Sequence, residues 1–186
     1  MFVKVNGMGG RLWLTGKDLA LTGVFSALFV VLNLTLGPAS FQLLRLPLLQ
    51  DIGVFFTLLL VAWVTGKFGP SLMVGIIGSI VAVLLGGPII IVGFAAAAVV
   101  FDLLMSACKH NIRIARFNLV VVIISTMASG YFAGATIGVF FMGNGVQWAL
   151  TIWGGWHMVG GILATAITLP IIAALERSGA RKLKTE

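Results

Sequence analysis

The sequence predicts an all-α integral membrane protein, a bundle of six transmembrane helices with both termini cytoplasmic. Three observations lead there: the composition, the length of the apolar runs and the placement of the positive charges. Of 186 residues, 60% are hydrophobic and 9% charged, and the mean hydropathy is +1.14. A soluble domain carries about a quarter charged residues, so this chain has too few polar groups to cover a water-facing surface, which excludes soluble enzyme folds. Disorder is excluded too, since it needs low hydrophobicity and high charge. Barrel strands alternate apolar and polar residues over about ten positions, whereas the apolar runs here are continuous and longer. The net charge of +7 would suggest nucleic acid in a soluble protein. In a membrane protein Lys and Arg collect in cytoplasmic segments, and no nucleic-acid partner is expected. A lone Cys108 rules out an internal disulfide and a thiolate metal cluster.

About twenty apolar residues are needed to cross the hydrocarbon core. Six spans are predicted, at residues 19–36, 52–65, 70–85, 88–107, 117–142 and 148–175, which make residues 1–186 a single transmembrane domain. The first follows Lys4, Arg11 and Lys17. It is long enough to span and lacks a clear small-residue cleavage site, unlike a signal peptide. The second and third are short and separated by Gly66-Lys67-Phe68-Gly69, with Pro70 suited to a first helical turn. Gly86-Gly87-Pro88 breaks the third from the fourth. Fusing each pair would give four helices; the lysine and the Gly/Pro punctuation argue against it. The longest outer loop runs over 37–50 and holds Pro38, Arg45 and Pro47. Gly143-Asn144-Gly145 makes a short, flexible turn.

The charges test this count independently. With the N-terminus inside, the inner segments hold Lys4, Arg11, Lys17, Lys67, Lys109, Arg113, Arg116, Arg177, Arg181, Lys182 and Lys184, which leaves Arg45 as the outer cation. Such asymmetry fixes the orientation and predicts a multi-pass protein of the plasma membrane.

No GxxxxGK[ST] phosphate loop is present, no internal repeat is visible, and no soluble domain is expected on the chain. Uphill transport would then draw its energy from a partner or an ion gradient. With five carboxylates and no paired acids or Ser/His/Asp set at one membrane level, no catalytic residues, cofactor or metal are expected, and the chain is not read as an enzyme. A proton-coupled carrier favours buried acids near the midplane, and none is read there. The inverted-repeat plan of secondary transporters is also missing.

Small residues recur at helical spacing: Ala20, Gly23 and Ala27; Ser71, Gly75 and Ser79; Gly130, Gly134 and Gly138. Helices in lipid associate through such faces. The third and fifth helices are expected to use theirs within the bundle. The first helix could do the same, or could offer a face to a separate membrane subunit. Trp153, Trp156, His157 and Gly160 follow i, i+3, i+4, i+7, which places them on one helical stripe. An aromatic belt accounts for Trp148. For Trp153 and Trp156, one to two turns deeper, a flat ligand stacked on the indoles beside His157 is preferred. His157 lacks the companions a metal site needs. Asn33, polar within an apolar run, is a pocket candidate. Arg45, Asn144 and Gln147, with Gln42 and Gln50, can cap a pocket from the loops or face water. Asp51 is read as favouring the positive end of its helix, with Arg45 as a possible partner. Asp102 is expected to pair with Lys109 or a helix end.

Taken together, several stretches resemble the substrate-binding S components of energy-coupling factor (ECF) vitamin transporters. They are Gly23-xxx-Ala27, Asp51-Ile52-Gly53, Gly66-Lys67-Phe68-Gly69-Pro70 leading to Val74-Gly75-Ile76-Ile77-Gly78-Ser79, Gly86-Gly87-Pro88, and Gly160-Gly161 with a basic tail after Glu176. The resemblance implies a six-helix bundle that captures a vitamin or related micronutrient on its outer side. It implies docking through small residues of the first helix, here Ala20, Gly23 and Ala27, on a membrane coupling subunit served by two cytoplasmic ATPases. It places the substrate among the outer halves of helices four to six and the outer loops, where Trp153, Trp156, His157, Arg45, Asn144 and Gln147 fall. The metal-binding branch uses an N-terminal Met-His pair; this chain begins Met1-Phe2-Val3, which argues against nickel or cobalt. The paired tryptophans favour a flat heteroaromatic ligand such as thiamine or its pyrimidine precursor. The rivals are a stand-alone small-solute carrier or channel, and a structural or assembly subunit of a membrane complex.

Overall fold

In hydrocarbon every backbone N–H and C=O must be satisfied within the chain, which restricts apolar spans to helices or closed barrels. The computed structural model describes residues 14–112 and 116–180, and they form helices: α1 (Gly16–Leu44), α2 (Leu48–Thr65), α3 (Pro70–Leu84), α4 (Ile89–Cys108), α5 (Arg116–Phe141) and α6 (Val146–Arg177). Five are long and apolar enough to cross a membrane; α3, with 15 residues, is the short member. Lys4, Arg11, Arg113 and the basic residues after Ala180 lie outside the described residues.

The first helix departs most from expectation. It continues to Leu44, through the segment predicted as an outer loop. Pro38 lies inside it and has no N–H to offer the carbonyl one turn back. The helix survives that lost bond and stops at Arg45, which takes the left-handed conformation with φ 55°. Ser40 then secures the turn, its hydroxyl donating to the Leu46 carbonyl (2.5 Å) and accepting from the Leu49 N–H (2.9 Å).

The helices close a ring. The first packs on α2 and α3, α3 on α4, α4 on α5, α5 on α6, and α6 returns to α2. The most enclosed member is α2, with 72% of its central window buried against 28% for α1. Phe29, Phe55, Leu58, Phe94 and Phe101 fill the interior.

Close approach in this ring depends on residues without side chains. Gly130, Gly134 and Gly138 face the backbone of α6 at His157, Trp153 and Ala149 in turn, four residues apart on both antiparallel helices. A Cβ at Gly134 would lie 2.6 Å from the Trp153 carbonyl oxygen and 2.7 Å from the His157 ring. Ala149–Trp153 is a π-helical stretch, a widened turn that re-aims the side chains before and after it. Ala20, Gly23 and Ala27 lie exposed on α1, and nothing stands within 4 Å of where a Gly23 Cβ would be.

Polar groups secure the end of the bundle where α1 begins. Thr15 and Asp18 form a capping box, and Lys67, in the α2–α3 turn, pairs with the same Asp18 carboxylate. The next turn is capped from a neighbouring helix. Gly69, the N-cap of α3, has no side chain to receive the orphan amides. Asp102 of α4 receives them instead, accepting from Gly69 N–H at 2.6 Å and Leu72 N–H at 3.4 Å. Its other oxygen meets His110 Nε2 at 2.7 Å. Asp102 therefore serves a helix end, one of the two roles expected of it, and pairs with His110 rather than Lys109.

Two outcomes are expected. Gly134→Leu should lower stability in detergent by about 1–3 kcal/mol through overpacking, whereas Gly23→Leu should stay within about 0.5 kcal/mol of the parent; thermal unfolding compares them directly. Asp102→Ala, which removes the acceptor of two partly buried amides at a cost of about 1 kcal/mol, should accelerate hydrogen exchange at Gly69 and Leu72 ahead of global unfolding.

Candidate functional site

At the opposite end, where α1 finishes at Arg45, the ring encloses a pocket of about 140 Å³. Asn33, Leu34, Gly37, Pro38 and Phe41 of α1 line one side. Gln50 of α2 and Pro88, Ile90 and Ile91, at the start of α4, line the other. The extra helical length beyond residue 36 supplies Gly37, Pro38 and Phe41, so the pocket depends on the part of α1 that continues past Leu36.

Two carboxamides give the pocket its polarity. Asn33 is buried, and its Nδ2 donates to the Phe29 carbonyl at 3.1 Å, a local bond within α1. Its Oδ1 accepts from Gln50 Nε2 at 3.1 Å, joining α1 to α2. Gly37 lies beside the pair, and a Cβ there would only reach ordinary contact, 3.5 Å, with the Gln50 amide. No lining residue carries a charge. With these amides bonded to each other and to the Phe29 carbonyl, the surface is largely apolar and suits a small neutral molecule.

Aromatic rings stand behind the pocket. Phe41 stacks on Trp153, with centroids 6.2 Å apart and planes 19° apart, and Trp153 stacks on Trp148 at 5.4 Å and 19°. His157, one turn along α6, meets Trp153 edge-on at 5.5 Å and Phe94 at 5.7 Å. Its Nδ1 lies 2.7 Å from Asp51 Oδ1, and both side chains are shut away from solvent, at 1% and 0% exposure. Asp51 lies in the first turn of α2, as read from the sequence, and it is also a buried partner of His157, a contact the sequence did not suggest; Arg45 is exposed and does not pair with it.

The predicted residues separate accordingly. Asn33 lines the pocket, and Trp153 and His157 stand behind it. Trp156 is 38% exposed on the outside of α6. Consecutive helical residues point about 100° apart, so the narrow stripe that admits His157 excludes its neighbour. Arg45 and Asn144, on the turns at this end, and Gln147, at the start of α6, are exposed and do not line the cavity. Sequence reasoning missed Phe41 and the Asp51–His157 contact, and it placed Gln50 only as a loop cap. The cavity also sits between α1, α2 and the start of α4, further round the ring than helices four to six alone.

Among the described residues no group of three or more His, Cys, Asp or Glu is placed to hold a metal ion. No family model matches the chain, and no curated protein matches its sequence. A search of solved structures finds a crystal structure of an S-component of an ECF transporter, with a TM-score of 0.69 and 21% identity over 93% of this chain and 91% of that one. The six-helix ring is thus the fold of an ECF S component.

Proposed function

We propose that the chain is the substrate-binding subunit of an ECF-type importer, capturing a small heteroaromatic vitamin precursor from outside the cell for uptake driven by a separate module. The pocket carries this reading. A cavity of about 150 Å³ accepts one benzene ring, and 140 Å³ with a paired Asn33–Gln50 edge suits a single substituted heteroaromatic ring. The pyrimidine precursor of thiamine is therefore preferred over thiamine, which adds a second ring and a permanent positive charge that no lining carboxylate would meet. Asn33, Gln50 and Phe41 contact the ligand, Trp153 and His157 support them, and Arg45, Asn144 and Gln147 surround the entrance. The fold supports the general role. The charge asymmetry supports a plasma-membrane protein with cytoplasmic termini and the pocket outside. The exposed Ala20, Gly23 and Ala27 face supports docking on a membrane coupling subunit, with two cytoplasmic ATPases supplying the energy.

A stand-alone carrier is the second reading, favoured by the buried Asp51–His157 pair, because ionisable groups inside membrane bundles mark transport paths.

Thermal unfolding in detergent tests binding. The pyrimidine precursor at about 100 times its Kd should stabilise the protein by about 2.7 kcal/mol, with a smaller shift from thiamine and at least tenfold weaker binding in Gln50→Ala. A silent precursor would overturn the assignment. Gly23→Leu combined with Ala27→Leu should keep binding and abolish cellular uptake. Uptake by the purified protein alone in proteoliposomes would instead establish the carrier.

A further inference from the structure

The Asp51–His157 contact is costly to maintain. Two ionisable side chains are removed from water at the junction of four helices, and only one hydrogen bond joins them, at 2.7 Å. Asp51 Oδ2, His157 Nε2 and the neighbouring Trp153 Nε1 are buried without a partner. A well-packed apolar pair of similar volume is often at least as stable as such a pair, so packing alone gives little reason for it. The surroundings are nonetheless shaped to admit it. Gly160 lies against the Asp51 carboxylate, where any Cβ would collide with it, and Gly134 lies against the imidazole.

The pair also sits directly behind the pocket by two routes. Asp51 is the residue next to Gln50, whose amide lines the cavity and bonds to Asn33. His157 touches Trp153, on which the pocket-lining Phe41 stacks. Whatever moves Asp51 relative to His157 shifts α2 against α6 and reaches both walls.

We propose that Asp51 and His157 form a proton-binding site inside the bundle, one shared proton holding them together, and that this site positions Gln50 and Trp153 for ligand binding. With the proton present the pair is net neutral, whether as carboxylate and imidazolium or as carboxylic acid and imidazole. When the proton leaves to water, a carboxylate remains beside a neutral ring in a low-dielectric interior, and the reason for close contact changes. The groups facing the pair contribute no competing charge: Phe94 from α4, Gly130 and Gly134 from α5, Trp153 and Gly160 from α6. Tyr131 of α5 lies with its ring edge near Gly154. The link to ligand affinity rests on the function proposed above; the proton site does not.

The test uses the full chain in detergent and reads tryptophan emission against pH, since an imidazolium beside an indole quenches it. The parent should show a titration step between pH 5 and 9 that is lost in His157→Gln and in Trp153→Phe and displaced in Asp51→Asn. A parent with no step from pH 5 to 9 overturns the proton site, as does a step that survives His157→Gln. Gly160→Ala changes no charge but pushes the Asp51 carboxylate aside. It should displace the step and weaken binding of the pyrimidine precursor at least tenfold, while circular dichroism shows a folded helical protein. A displaced step with unchanged affinity overturns the positioning role. A parent that titrates but binds neither the precursor nor thiamine counts against the ligand assignment and leaves the proton site intact.

Discussion

The arrangement of the bundle around the pocket depends on the contact between Asp51 and His157. To bring an α2 carboxylate against an α6 imidazole, α6 must present Gly160 beside the acid, and α5 must present glycines where it crosses the ring. Those absences of side chain then bring α5 and α6 close along their length, with Gly130, Gly134 and Gly138 each set against backbone or Cβ of the partner helix. One polar contact and the glycines that admit it thereby set the spacing of three helices. The aromatic stack of Trp148, Trp153 and Phe41 follows from where α6 lies.

The two ends of the molecule solve different problems. At the Lys67 end, charged and polar side chains tie turns to helices: Asp18 holds Lys67, and Asp102 holds both the α3 amides and His110. The bonds from Asp18 to Lys67 and from Asp102 to the α3 amides join elements 30 to 49 residues apart, so that end behaves as a fastened plate. At the Arg45 end, the one side chain-to-side chain bond on the pocket wall is between neutral amides, and contact is otherwise made by aromatic and aliphatic groups. Charge-assisted bonds are stronger and more directional than neutral ones. The pocket wall is therefore tied less firmly than the Lys67 end, with the Asp51–His157 contact behind it.

Much of this was legible in the sequence, because the determinants are local. Continuous apolar runs and the Gly/Pro breaks at 66–70 and 86–88 give the helices and their order. Glycines repeating every four residues in α5 announce a close neighbour. Thr15-x-x-Asp18 is a capping signature that starts α1 before the first long apolar run, and it was overlooked. What escaped was non-local. Nothing in the sequence around Asp51 indicates a partner 106 residues away. A proline at position 38 normally ends a helix, and it hid the segment that supplies a third of the pocket lining. Trp156 and Trp153 look equivalent at helical spacing until the width of the buried stripe is known.

Neighbouring helices of very unequal length set a problem for the surrounding lipid. The 29 residues of α1 extend about 43 Å along their axis, and the 15 residues of α3 about 22 Å, yet they pack side by side against a hydrocarbon core about 30 Å thick. One helix overshoots the membrane that the other fails to span. Tilt can absorb the excess of α1 but cannot lengthen α3, which a bilayer meets by local thinning, by flanking residues that reach to the interface or by a neighbour that covers that face. The protein's energy in the membrane varies with acyl-chain length, and thin membranes, or neighbours that cover the α3 face, relieve the mismatch.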